Sequence, residues 1–505
     1  MKENLSQKLD SLKQKIGEVK DVNAAVALMH WDMEVYMPPK AAGSRGQQLA
    51  TLSAISHRMF TDPEMGVLLR ELKEQEELLG ADEAKLVHET LYDYEKSTRL
   101  PEAFVHEISL AQSRAYEAWV KAREESDFRQ FQPHLEIMVK LARQKAEYLG
   151  YEGSPYNALL EEYERGVTVE MLRKVFTQLA KEQSRIVEQV VNSPHQPETG
   201  WLEQEWDEQK QWDFSIRILR DMGYDFGAGR QDKSVHPFTT DFGMYDVRVT
   251  TRLSKRELFS GLMSSLHEGG HALYEQGLPP EFERTTLAEA ISLGIHESQS
   301  RMWENMIGRS LPFWKHYAPA FREQFKPQMD SISAERIYST LNQVKPSFIR
   351  VEADECTYNL HIILRFEIEL ALIEGDLKAA NVPEIWNQKM REYLGLDVPN
   401  DAMGCLQDIH WSHGSIGYFP TYALGNLYAA QLFRQIEKDI PDLWQQVEQG
   451  QYARLLGWLR EKVHRVGRRM QAPELIRSVT GSPLAAEPYL SYLREKYGQI
   501  YQINL

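Results

Sequence analysis

The stretch Ser264-Ser265-Leu266-His267-Glu268-Gly269-Gly270-His271-Ala272-Leu273-Tyr274 carries two histidines four residues apart, with a glutamate directly after the first. On a helix, His267 and His271 share one face and can aim two imidazole nitrogens at a single point. That arrangement suits a zinc ion. Glu268 is rotated away from the histidines, so its carboxylate can reach a water beside the metal rather than the metal itself; it is the candidate general base.

A helix must therefore cover this stretch. Ser254-x-x-Glu257 is a capping-box pattern, Leu258, Phe259, Leu262, Met263 and Leu266 follow at helical spacing, and Gly277 with Pro279-Pro280 ends the run. Gly269 and Gly270 each cost about 1 kcal/mol relative to alanine inside a helix, which points to close approach by a substrate or a neighbouring strand. A catalytic zinc needs a third protein ligand and an open position. Glu281, Glu283, Glu289, His296 and Glu297 are the downstream candidates. Glu297, in a second helix-like run from Ser292 to Trp303, is favoured over Glu289, although spacing alone does not decide and Glu297 could equally pair with Arg301 one turn on.

The bulk composition bounds the class. The chain has 505 residues, 42% hydrophobic and 26% charged, with 74 acidic against 58 basic side chains and a net charge of −16. Such an acidic balance argues against nucleic acid and anionic membranes as partners. The N-terminus lacks an apolar signal segment, no run of 18 apolar residues occurs, and two cysteines, Cys356 and Cys405, give no disulfide framework. A cytoplasmic location is expected.

Residues 3–30 have helical periodicity that breaks at Trp31 to Pro39. Amphipathic segments then follow at 82–97, 101–124, 130–149 and 169–191, separated by Pro and Gly breaks, and read as antiparallel helices. The stretch 192–212 is irregular without marking a flexible linker. From His236 to Arg252, valine and threonine alternate with charged residues, as in strands that could offer an edge to a substrate backbone. Further on, Arg350 lies between apolar and acidic residues, as a structural ion pair would. Residues 357–374 read as a buried helix, and His410, Tyr418 and Tyr422 gather near a helix start, as in a pocket wall or an aromatic core corner.

Taken together, Asp246-Val247-Arg248-Val249-Thr250, His267-Glu268-Gly269-Gly270-His271, His296-Glu297-Ser298-Gln299, Ile349-Arg350-Val351-Glu352-Ala353-Asp354 and Gly404-Cys405-Leu406-Gln407-Asp408-Ile409-His410-Trp411 resemble the signature segments of the M32 metallocarboxypeptidases, in order and along the whole chain. The resemblance implies a mainly helical fold with a small antiparallel β-sheet beside the H-E-x-x-H helix, a deep active-site groove, and usually a homodimer. It implies that His267, His271 and Glu297 bind zinc, or cobalt in its place, and that Glu268 activates water. Arg350 and the His410 and Tyr418–Tyr422 segments would meet a peptide with a free C-terminus. Arg350 is the first choice for the carboxylate anchor and Arg248 the second; His410, His236 and Tyr418 are the candidate oxyanion donors. One domain over 1–505 is expected, with an N-terminal helical part to about 200 and a catalytic part from 201. An endo-acting oligopeptidase, an aminopeptidase and a non-catalytic metal-holding scaffold are the rival readings.

Overall fold

The computed structural model describes residues 2–505, and helices dominate it. The expected segments form Ala81–Arg99, Glu102–Glu125, Gln132–Leu149 and Val169–Val191. Their limits follow local chemistry: Pro101 precedes a first turn, Gly150 takes φ +77°, and the Thr168 hydroxyl accepts the Met171 N–H as an N-cap. The first helix does not stop before Trp31 but runs Lys2–Val35. The buried Trp31 ring keeps its last turn against the body of the molecule, and Pro38 only then prevents continuation.

Leu5, Leu9, Leu12 and Ile16 place one stripe of that helix against Met65, Leu69, Leu72, Leu86 and Leu287, a satellite cluster beside the main one. The main hydrophobic cluster runs from Ala115 to Tyr501 without interruption at residue 200. The irregular stretch 192–212 is part of it. Trp201 and Trp206 meet edge to face at 6.2 Å, and the Trp206 N–H donates to the Lys255 carbonyl at 2.7 Å.

The sheet has three strands, β1 (Gly229–Lys233), β2 (Thr239–Asp241) and β3 (Val247–Thr251), in the order β1-β3-β2. It is mixed rather than antiparallel: β2 runs against β3, but β1 runs parallel to it. The sequence Gly-Arg-Gln-Asp-Lys of β1 has no apolar alternation and so gives no strand signal. Its pairing is permitted by Gly229, where a Cβ would stand 2.0 Å from the Val247 carbonyl.

The motif helix spans Ser260–Glu275 and packs on β3. Its start is not the capping box. Ser254 instead closes a turn, accepting the Arg256 N–H on its hydroxyl at 3.2 Å, and the helix begins after Phe259. The second helix, Leu293–Arg301, is capped by the Ser292 hydroxyl on the Ile295 N–H and continues into a π-helical turn, Met302–Gly308. The neighbours that require small residues are helices, not a strand or substrate. A Cβ at Gly270 would lie 2.6 Å from the Gln299 carbonyl oxygen, and one at Gly425, in the helix Pro420–Asp439, 2.5 Å from Glu297 Cγ.

Candidate active site

The close helix contact at Gly270 brings three ligand-type side chains together. His267, His271 and Glu297 offer ligand atoms that all lie within 4.8 Å of one another. Glu297 Oε2 is 3.7 Å from His267 Nε2 and 3.4 Å from His271 Nε2. Both histidines thus turn Nε2 inward, and their other nitrogens are engaged outside. His267 Nδ1 meets Glu304 at 2.9 Å, while His271 Nδ1 meets His296, whose Nε2 reaches Glu275 at 2.7 Å. Glu304 is fixed in turn by Arg301 at 3.3 Å and Arg309 at 3.1 Å. Ligand imidazoles buttressed in this way have a set tautomer and orientation.

The electrostatics fit a cation. Burial opposes ionisation of Glu297, but Arg301, His267 and His271 hold its carboxyl well below the usual range. Burial, with His296 alongside, brings His271 down to about 3, so it presents a neutral imidazole. His267 is moved the other way, up from 6.5, because Glu297 and Glu304 outweigh its burial, so it must give up a proton to bind a cation. With that proton released, two imidazoles and one ionised carboxylate are a donor set that zinc-type divalent ions accept. Glu289 is drawn elsewhere, into ion pairs with Lys20 and Arg468. Glu297 makes the Arg301 pair that its spacing allows, at 2.7 Å, and faces the histidines as well.

Glu268 lies beside this cluster, buried, with Oε2 accepting the Thr239 hydroxyl at 2.7 Å from β2. Burial raises its pKa, although His267 opposes the shift. A carboxylate so placed is a proton acceptor of increased basicity.

Arg350 is nearly buried. Its Nε and Nη2 donate to Asp408 Oδ1 at 3.0 and 2.9 Å, and Nη1 donates to the Tyr358 hydroxyl at 3.0 Å. The Arg301 guanidinium lies 4.7 Å over the Tyr358 ring, so one aromatic residue joins the arginine of the metal cluster to Arg350. Tyr418 and Tyr422, with ring centroids 5.2 Å apart, feel the fields of both Glu297 and Arg350. His410 stacks near them, with Nε2 3.5 Å from the Tyr422 hydroxyl, and burial lowers it to about 4. Arg248 sits apart on β3, chelated by Asp246 at 2.8 Å and 4.3 Å over the Trp31 ring. His236 is exposed on the loop between β1 and β2.

Residues 11–497 match the family model described as Carboxypeptidase Taq (M32) metallopeptidase. The chain belongs to the M32 family of metallocarboxypeptidases. Carboxypeptidase 1 of Bacillus subtilis is 39% identical over 486 residues, covering 96% of this chain and 97% of that protein. Thermostable carboxypeptidase 1 of Thermus thermophilus is 40% identical, covering 94% and 95%. The crystal structure of an M32 carboxypeptidase from Deinococcus radiodurans superimposes with a TM-score of 0.96 at 39% identity, covering 98% of this chain and all of that one. The fold described above is that of the M32 enzymes, and the protein is accordingly a hydrolase acting on peptides. Membership in a family of metallocarboxypeptidases sets aside the non-catalytic scaffold.

Several residues that touch this cluster or Arg350 escape sequence reasoning. Glu304 stands seven residues after Glu297 and three after Arg301, a stripe that helical spacing could have revealed. Thr239 and Tyr358 come from distant segments and carry no local signal. Two cavities, of about 540 and 390 Å³, share Glu289 and Ala290; the first is lined by Asp241 and Glu275, the second by Tyr163 and His296. No helix among the described residues is long and apolar enough to cross a membrane.

Proposed function

We propose that this M32 enzyme is a zinc-dependent exopeptidase that removes single residues from the C-terminus of peptides, with Glu268 as general base. The observation that carries this reading is the junction of His267, His271 and Glu297 within 4.8 Å, with the buried Glu268 carboxylate next to it. Zinc held by these three residues, or cobalt in its place, would supply Lewis-acid polarisation of the scissile carbonyl. Glu268 takes the proton of the attacking water and delivers it to the leaving amine. Thr239 steadies the Glu268 carboxylate meanwhile. Neutral His410 and the Tyr418 hydroxyl are the donors for the developing oxyanion, for which loss of one donor typically costs about 10²–10³ in rate.

Arg350 is the anchor for the substrate α-carboxylate, through the two of its five N–H groups that Asp408 and Tyr358 leave free, and Arg248, whose Nε and Nη2 are held by Asp246, is the second choice. His236, exposed before β2, would reach substrate only from the outer wall. The enzyme works as a single domain over 1–505, in the cytoplasm and as a homodimer.

The decisive experiment is a mass-spectrometric time course on one mixed-sequence peptide, supplied as the free acid and as its C-terminal amide, with zinc- and cobalt-loaded protein. Stepwise loss of single residues from the acid alone is expected. Equal internal cleavage of both would make the protein an endo-acting oligopeptidase, and loss from the amino end an aminopeptidase.

A further inference from the structure

Asp408 is shared by two guanidiniums. Its Oδ1 is taken by Arg350, and its Oδ2 accepts from Arg365 Nε at 2.6 Å. Arg365 projects from the interior helix Glu355–Glu374, has no exposed surface, and lies 4.5 Å over the Trp386 ring. Its Nη1 donates to the His361 carbonyl at 2.6 Å, while Nη2 has no partner.

Two buried positive charges on one carboxylate leave one in excess. The surrounding groups cancel it only in part: Glu369, one turn on from Arg365 and fully buried, is raised by burial to about 7 and so is ionised only in part near neutral pH. Burial holds His361 and His410 neutral, and the buried Tyr422 hydroxyl keeps its proton. The strain is visible in Arg365, which burial and the nearby Arg350 bring down to about 10 despite Asp408. A buried uncompensated cation is costly unless something completes it. The missing anion is of the kind a peptide C-terminus carries.

We propose that Arg365 is a positioning residue for the carboxylate receptor: by holding Oδ2 and offsetting the charge of Asp408, it leaves Arg350 with a net attraction for the substrate α-carboxylate. Without Arg365, Arg350 and Asp408 form a closed, neutral pair. The inference rests on the reading of Arg350 as anchor.

The test uses metal-loaded protein in a Glu268→Gln background, so that peptides bind without turnover. Isothermal titration calorimetry measures one peptide as its free acid and as its C-terminal amide. Arg365→Met should lower affinity for the acid about tenfold and leave the amide unchanged, the size expected of one nearby charge in a partly screened interior. Arg365→Lys should restore most of the acid preference. Arg365→Gln, which keeps a donor for Asp408 without the charge, should behave like the methionine variant and carries the test if that variant does not fold. An acid-to-amide ratio that stays within about twofold of the parent in Arg365→Met or Arg365→Gln, while Arg350→Ala abolishes it, overturns the role of Arg365 alone. An unchanged ratio in Arg350→Ala overturns the anchor and the inference together.

Discussion

Each histidine of the proposed metal site is held by a second residue, and that arrangement has measurable consequences. Glu304 and His296 set the Nε2 direction of His267 and His271 without facing the metal point. Glu304→Gln and His296→Ala should weaken metal binding about 10–100-fold, read by chelator competition, with the fold retained. Glu268→Gln should behave differently. It should cut kcat by at least about 10³ while metal content, measured by elemental analysis, stays at the parental level. Equal metal loss in all three variants would mean that Glu268 is a structural member of the cluster.

Helix contacts decide whether these residues meet. Gly270 lets the motif helix touch the backbone of the second helix, so Gly270→Ala must push the two apart and misplace Glu297. A loss of about 2–3 kcal/mol in denaturant unfolding, together with weaker metal binding, is expected. A second staple is pH-dependent. Glu164 is fully buried and accepts the Ser292 hydroxyl at 2.7 Å and the Gly294 N–H at 2.8 Å, which ties the start of the second helix to residues 156–165. Burial raises it to about 7 from 4.5, despite those hydrogen bonds. A folded pKa above the unfolded one means its contribution is fully present below about pH 4.5 and is lost as pH rises through about 7. Glu369, raised by burial to about 7, adds a term of the same sign. The buried His271, His361 and His410, lowered from 6.5, act with the opposite sign up to that pH, so the measurement is a difference: from pH 5 to pH 8 the melting temperature of Glu164→Gln should rise relative to that of the parent protein.

At the scale of the whole molecule, the proposed metal site joins the motif helix and the second helix, both of which pack into the main hydrophobic cluster through Leu266, Ala272 and Ile295. Bound metal should thus stabilise the entire fold by mass action, by about 4 kcal/mol at a free concentration a thousand times the dissociation constant. Chelation should lower the calorimetric melting temperature, and zinc should restore it. The amino-acid sequence by itself determined the helical texture, the motif helix and the shared face of His267 and His271, because periodicity and residue spacing are local properties read along one face of a helix; spacing left the choice between Glu297 and Glu289 open. It could not specify the parallel strand β1, whose polar residues gain strand geometry only by pairing with β3. Nor could it assign the Ser254 turn, the continuation of the first helix through Trp31, or the partners Glu304 and Arg365. Tertiary structure decided those, since a hydrogen bond between residues far apart in the chain, such as Arg365 to Asp408 at 2.6 Å, exists only once packing has excluded water and brought both groups to one place.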